Sequence, residues 1–115
     1  MTAKRERDYR TLDEVAAEQM RDDPEFALVH LERCAQDPEP RVFLRALKQL
    51  VDAQPGGLSA VAREAGVDRA GLHRALTGAH LPNWGTVARV LRALDLSLRF
   101  RFGREGPDDA GRAQG

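Results

Sequence analysis

The sequence predicts an all-α domain that carries N-terminal helices and one short C-terminal strand. Three observations predict it: apolar residues recur at helical spacing through most of residues 11–94, proline and glycine punctuate that stretch, and strict alternation appears only after Asp95. A chain of 115 residues with 42% hydrophobic content is long enough for one modest core. We therefore expect one small folded domain.

Residues 1–54 contain the predicted N-terminal helices. Residues 1–10 are nearly all polar and are expected to form a disordered arm. Thr11 and Glu14 fit a capping box that opens the first helix, and Asp23 followed by Pro24 opens the second. Pro40 opens a third helix that runs to about Gln54. Residues 11–54 are expected to supply part of the core and a surface for a partner.

Residues 55–104 contain a predicted helix-turn-helix. Pro55-Gly56-Gly57 ends the third helix, and two short helices follow, about Ser59–Ala65 and about Arg69–Thr77. The turn Gly66-Val67-Asp68 between them is short enough to force the two helices into contact. Gly66 permits a positive φ in this turn, and Asp68 can cap the helix that follows. The small and apolar residues that such a crossing needs are present at Val61, Ala62, Val67, Leu72 and Ala75. Asn83 is a suitable N-cap for a last helix.

This order of elements resembles the lambda-repressor-like, Xre-type helix-turn-helix domain. The block from Asp37 to Leu98, with its stretches FLRAL, GLS, LHRAL and VLRAL, is similar to the probable addiction-module antidote family. The resemblance implies an Xre/HigA-like antitoxin that neutralises a RelE/HigB-like toxin and represses its own operon. Two positions depart from the family pattern: His73 stands where tyrosine is common, and Asp95 where glycine usually follows leucine. The alternative is a stand-alone Xre-family transcriptional regulator without a toxin.

The second helix of the motif is expected to enter the major groove of DNA. Its exposed residues near the N-terminus would face base edges, with Arg69 and Arg74 suited to bidentate guanine contact and Ala70 to a thymine methyl. Positions expected to contact DNA bases or phosphates are Ser59, Arg63, Arg69, Ala70, His73, Arg74, His80 and Asn83.

The charges divide the chain into two halves. Residues 1–40 carry 6 basic and 11 acidic side chains, whereas residues 41–104 carry 11 basic and 4 acidic. This asymmetry indicates an acidic surface for a basic protein partner and a basic surface for nucleic acid. We expect a cytoplasmic protein that is not an enzyme, because the sequence shows no phosphate loop and no nucleophile motif. We also expect no cofactor and no metal, because the sequence shows no metal-ligand spacing and has a single cysteine, Cys34.

The segment after Asp95 predicts a strand and a dimer. Leu96, Leu98, Phe100 and Phe102 alternate with polar residues and glycine. A lone strand needs a partner for its backbone, and a second copy would give a two-fold homodimer suited to a palindromic site. The alternatives are a strand that folds back on its own helices or joins another protein's sheet. Residues 105–115 are expected to be disordered.

Overall fold

The computed structural model describes the backbone of residues 2–103 and the side chains of residues 12–103. The helices are α1 (Thr2–Asp22), α2 (Pro24–Ala35), α3 (Pro40–Ala53), α4 (Gly57–Ala65), α5 (Arg69–Thr77) and α6 (Trp84–Ala93). The all-helical character predicted from the sequence is confirmed. None of the helices in this part of the chain is long and apolar enough to cross a membrane.

The first helix begins earlier than the sequence predicted. α1 starts at Thr2, so the stretch expected to be a disordered arm is helical and Thr11 lies inside the helix instead of capping it. Alanine, lysine, arginine and glutamate dominate residues 3–7, and these residue types favour helix. The expected disordered tail, residues 105–115, lies outside the described residues.

Side-chain caps fix the beginnings of three helices where the sequence placed them. Asp23 Oδ1 accepts a hydrogen bond from the Phe26 amide at 3.2 Å and opens α2. Asp68 Oδ1 accepts from the Gly71 amide at 2.8 Å and opens α5. Asn83 Oδ1 accepts from the Thr86 amide at 2.9 Å and opens α6. Each cap satisfies a backbone donor that the first helical turn leaves without a partner.

α3 lies at the centre of the fold. Its Leu47 and Val51 are fully buried, and the helix contacts α1, α2, α4 and α5. One hydrophobic cluster joins all six helices, with members that include Met20, Leu31, Leu47, Val61, Leu72 and Val90. The N-terminal helices therefore belong to the same core as the helix-turn-helix.

The predicted strand over residues 96–102 is wrong for the single chain. After α6 the Asp95 amide donates to the Arg92 carbonyl and the Leu96 amide to the Leu91 carbonyl, which is a Schellman cap. Leu96 packs against the core, but Leu98 and Phe100 are 49% and 90% exposed. No strand is formed within residues 2–103, since the chain offers this segment no second strand with which to pair.

Candidate nucleic-acid interface

The turn between α4 and α5 sets the position of the exposed helix. Gly66 has a φ of 73°, a left-handed conformation that glycine adopts without steric cost. The Val67 amide donates to the Ala62 carbonyl at 3.0 Å and closes the turn. Leu72 and Leu76 then bury one side of α5 in the core, whereas Ala75, expected as an anchor, is half-buried. The opposite side of α5 faces outward.

The structure places four of the sequence-predicted residues together on that outer side. Arg69, Ala70, His73 and Arg74 are all exposed, and their spacing of one and four residues puts them on one helix face. Two of these four residues are arginines and none is acidic, so the face carries positive charge. Such a face suits contact with phosphate or with the acceptor atoms of guanine.

Ser59, for which the sequence predicts a phosphate contact, also makes a hydrogen bond within the protein. Its hydroxyl oxygen accepts a hydrogen bond from Arg69 Nε at 2.9 Å, across the turn from α4 to α5. This contact holds the arginine at its inner nitrogen. The two terminal nitrogens of Arg69 make no hydrogen bond within the described part of the chain. Because Ser59 already restricts the rotamers of this side chain, binding a ligand through the terminal nitrogens costs less side-chain entropy.

The loop after α5 carries two more of the predicted residues. His80 and Asn83 are exposed, as is Arg63 on α4. Asn83 uses its side-chain oxygen to cap α6, which leaves its amide NH2 group for a phosphate. At the end of α5, the Thr77 hydroxyl donates to the His73 carbonyl at 2.7 Å and lies 3.4 Å from the His73 ring Nδ1.

Arg41 is a basic residue at this loop that sequence reasoning missed. Its guanidinium donates to the Ala79 carbonyl from the first turn of α3, and it also lies 3.5 Å from the Glu39 carboxylate. The loop starts at Gly78, where an added Cβ would overlap the Arg74 carbonyl oxygen. Residues 38 positions apart give no sequence signal for such a contact, because it depends on how α3 packs beside α5.

A polar link joins α1 to α3 beside this loop. Asp13 Oδ1 accepts hydrogen bonds from Gln49 Nε2 at 2.7 Å and from Arg45 Nε at 3.2 Å. Burial raises the pKa of Asp13, but the hydrogen bonds from Gln49 and Arg45 outweigh that effect and hold the pKa below its ordinary value. These residues line a cavity of about 370 Å³ in which Lys48 and Asp52 also pair, at 2.7 Å. The cavity's charges are thus largely matched within the protein.

Cys34 lies beside a histidine that the sequence reasoning did not connect with it. Its Sγ is 3.9 Å from Nε2 of His30, one helical turn earlier on α2. Burial raises the pKa of the Cys34 thiol, and the charge of Asp37 raises it further, so the neutral thiol prevails at pH 7. His30 stacks on Phe26 and its Nε2 lies 3.2 Å from Gln49 Oε1, which ties α2 to α3. Within residues 12–103, no three metal-binding side chains lie together.

Comparison with known proteins identifies the family. The family model described as "probable addiction module antidote protein" matches residues 10–102, which is most of the chain. The chain belongs to the probable addiction module antidote family. A protein of similar sequence is an uncharacterized protein of Haemophilus influenzae (strain ATCC 51907 / DSM 11121 / KW20 / Rd), 33% identical over 88 residues that cover 76% of this chain and 88% of that protein. No solved structure matches the chain. An antidote family implies a toxin partner of some kind for this chain.

Proposed function

We propose that this antidote protein is an Xre/HigA-like, DNA-binding antitoxin that neutralises a RelE/HigB-like toxin and represses its own operon. The proposal includes two copies of the chain on a palindromic operator, a cytoplasmic location and no catalytic activity of its own. The observation that carries the DNA-binding part is the outer face of α5, where Arg69 is held by Ser59 and Arg74 lies five residues further along the helix.

Specific DNA recognition is assigned to α5 and positioning to its surroundings. Arg69 and Arg74 would each donate to guanine, a contact worth about 1–3 kcal/mol of discrimination, and Ala70 would meet a thymine methyl. His73 would complete the contact face. Arg63, His80 and Asn83 would contact phosphates on either side of it.

Toxin binding is assigned to the acidic stretch of residues 12–35, which lies in α1 and α2. Leu12 and Val15 on α1 and Leu28 and Val29 on α2 are all at least half exposed. Exposed acidic side chains lie beside them on the same two helices, at positions that include Asp13, Glu14, Glu18, Glu25 and Glu32. An apolar surface bordered by carboxylates suits a basic protein, and an RNA-cleaving toxin has that charge.

A growth assay tests the antitoxin part. The neighbouring open reading frame is expressed with and without this protein, and the two products are tested for a complex by pull-down. Growth arrest by the neighbour, relieved when the antidote binds it, is the expected result. A neighbour that neither arrests growth nor binds the protein would favour a stand-alone Xre-family regulator.

Operator binding tests the role of α5. We expect Arg69→Ala and Arg74→Ala each to weaken binding to the promoter fragment of the operon by about tenfold or more, and to weaken binding to scrambled DNA less. Ser59→Ala should weaken operator binding severalfold without a change in charge, because it frees the Arg69 side chain. Arg89→Ala on α6 is the matched control, since it removes an exposed positive charge outside the helix-turn-helix. Equal losses on promoter and scrambled DNA would exclude base recognition by these arginines.

A further inference from the structure

Residues 96–101 leave the helical fold with an apolar side that the single chain does not cover. The Schellman cap of α6 fixes Leu96, which packs on the core, whereas Leu98 is 49% and Phe100 90% exposed. In the part of the chain that the structure describes, the backbone of residues 97–101 makes no backbone hydrogen bond. A segment of alternating apolar and polar residues with open backbone groups is a template for strand pairing.

We propose that a second copy of this chain pairs with the segment as an antiparallel ribbon whose two-fold axis passes through Leu98. In this register Leu98 faces Leu98 of the other copy, and Leu96 faces Phe100. Phe100 of one copy would then cover Leu96 of the other, next to the core on which Leu96 packs. Cross-strand aromatic and aliphatic pairs of this kind stabilise antiparallel strands.

The arginines favour this register over the two registers centred on Arg99 and on Phe100. A two-fold axis through Arg99 would place the two Arg99 side chains opposite each other, and an axis through Phe100 would place Arg99 opposite Arg101 twice. With the axis through Leu98, Arg99 faces Ser97 and Arg101 lies opposite Asp95, the residue that precedes the ribbon. Like charges directly opposite each other destabilise a strand pair, and opposite charges stabilise it.

The same self-matching pattern points to a second copy instead of a different protein. With the axis through Leu98, the pairs Leu96–Phe100 and Ser97–Arg99 each occur twice, so one interface satisfies both chains at once, as a two-fold dimer requires. Glu32 on α2, 3.6 Å from Arg101, adds a second carboxylate near the arginine. The ribbon needs neither DNA nor a toxin, and its test is therefore independent of the proposed function.

Cysteine cross-linking of the full chain tests the register. Ser97→Cys, Leu98→Cys, Arg99→Cys and Phe100→Cys are each made in a Cys34→Ser background and oxidised at equal concentration. Leu98→Cys should form a disulfide-linked dimer at least about tenfold faster than the other three, because paired residues on the axis have the Cα separation that a disulfide accepts. Faster cross-linking at residue 97, 99 or 100 would overturn the register, and equally slow cross-linking at all four would overturn the ribbon.

A charge exchange between copies provides the second test. Asp95→Arg and Arg101→Asp should each weaken dimerisation by about tenfold, since each places two like-charged pairs in the dimer. An equimolar mixture should recover it, because only the mixed dimer has both pairs complementary. Sedimentation of each sample measures the dissociation constant, and helical circular dichroism checks the fold. Glu64→Ala removes an exposed carboxylate on α4, away from the ribbon, and is the control that should leave the dimer intact. A mixture as weak as the single variants would contradict the proposal.

Discussion

Asp95 adopts a backbone conformation that glycine adopts more readily. Its φ is 61°, and it lies at the position of the Schellman cap that usually carries glycine. A side chain with a Cβ costs free energy in this left-handed region, although aspartate tolerates it better than most residues. We therefore expect Asp95→Gly to raise the free energy of unfolding of the monomer by up to about 1 kcal/mol, measured by chemical denaturation at a protein concentration too low for dimers to form.

Two further variants separate backbone strain from charge at the same position. Asp95 also places a negative charge at the C-terminal end of α6, where the helix dipole disfavours it. Asp95→Asn removes the charge and keeps the tolerance for positive φ, whereas Asp95→Ala removes the charge and lacks that tolerance. If Asp95→Ala stabilised the protein as much as Asp95→Gly, the charge and not the backbone would be responsible.

Single residues show where sequence reasoning reaches its limit. The left-handed Gly66 and the three capping residues were predictable because each acts on its own or adjacent turns. The hydrogen bond from Arg69 to Ser59 and that from Arg41 to the Ala79 carbonyl were not predicted, because each joins different helices. The residues on the exposed face of α5 were predictable, but the hydrogen bond that holds Arg69 in place was not.

At the level of helices, the N-cap of α5 bears directly on the proposed interface. Asp68 caps the helix immediately before Arg69 and Ala70, and Asp23 caps α2 in the same way. Asp68→Ala and Asp23→Ala should each lower the free energy of unfolding by about 1 kcal/mol. Under conditions where both variants stay folded, only Asp68→Ala should weaken operator binding, because it loosens the first turn of the helix that presents Arg69. If the two variants bound the operator equally well, the first turn of α5 would have no role in DNA recognition.

The helices also show which element boundaries a sequence encodes. Pro24 and Pro40 each open a helix at its first position, and the Pro55-Gly56-Gly57 run ends α3, so these bounds were predicted within a residue or two. The start of α1 was not predicted, because no proline or glycine marks it and good helix formers also occupy residues before the expected cap at Thr11. The strand after Asp95 was predicted from alternation alone. Alternation does not specify whether the paired strand belongs to the same chain or to another one.

For the whole molecule, the decisive feature is that the acidic and basic halves share one hydrophobic core. Ala17 and Met20 of α1 and Leu31 of α2 belong to the cluster that also contains Leu72 and Val90. The charge division in the sequence therefore describes two surfaces and not two domains. A toxin bound to α1 and α2 would act on elements that pack directly against α3, the helix that also supports α5.

A shared core predicts one cooperative unfolding transition. Trp84, the one tryptophan, lies at the start of α6, so its fluorescence follows the helix-turn-helix half, whereas far-ultraviolet circular dichroism follows all helices. The two signals should give the same midpoint.

Met20→Ala in α1 should lower the free energy of unfolding by about 2–4 kcal/mol and shift both transitions together, because Met20 is 3% exposed. Val15→Ala, at a position 53% exposed, should change it by less than about 0.5 kcal/mol. A Met20→Ala shift confined to circular dichroism would mean that α1 and α2 unfold separately, and toxin binding could then not act on α5 through the core.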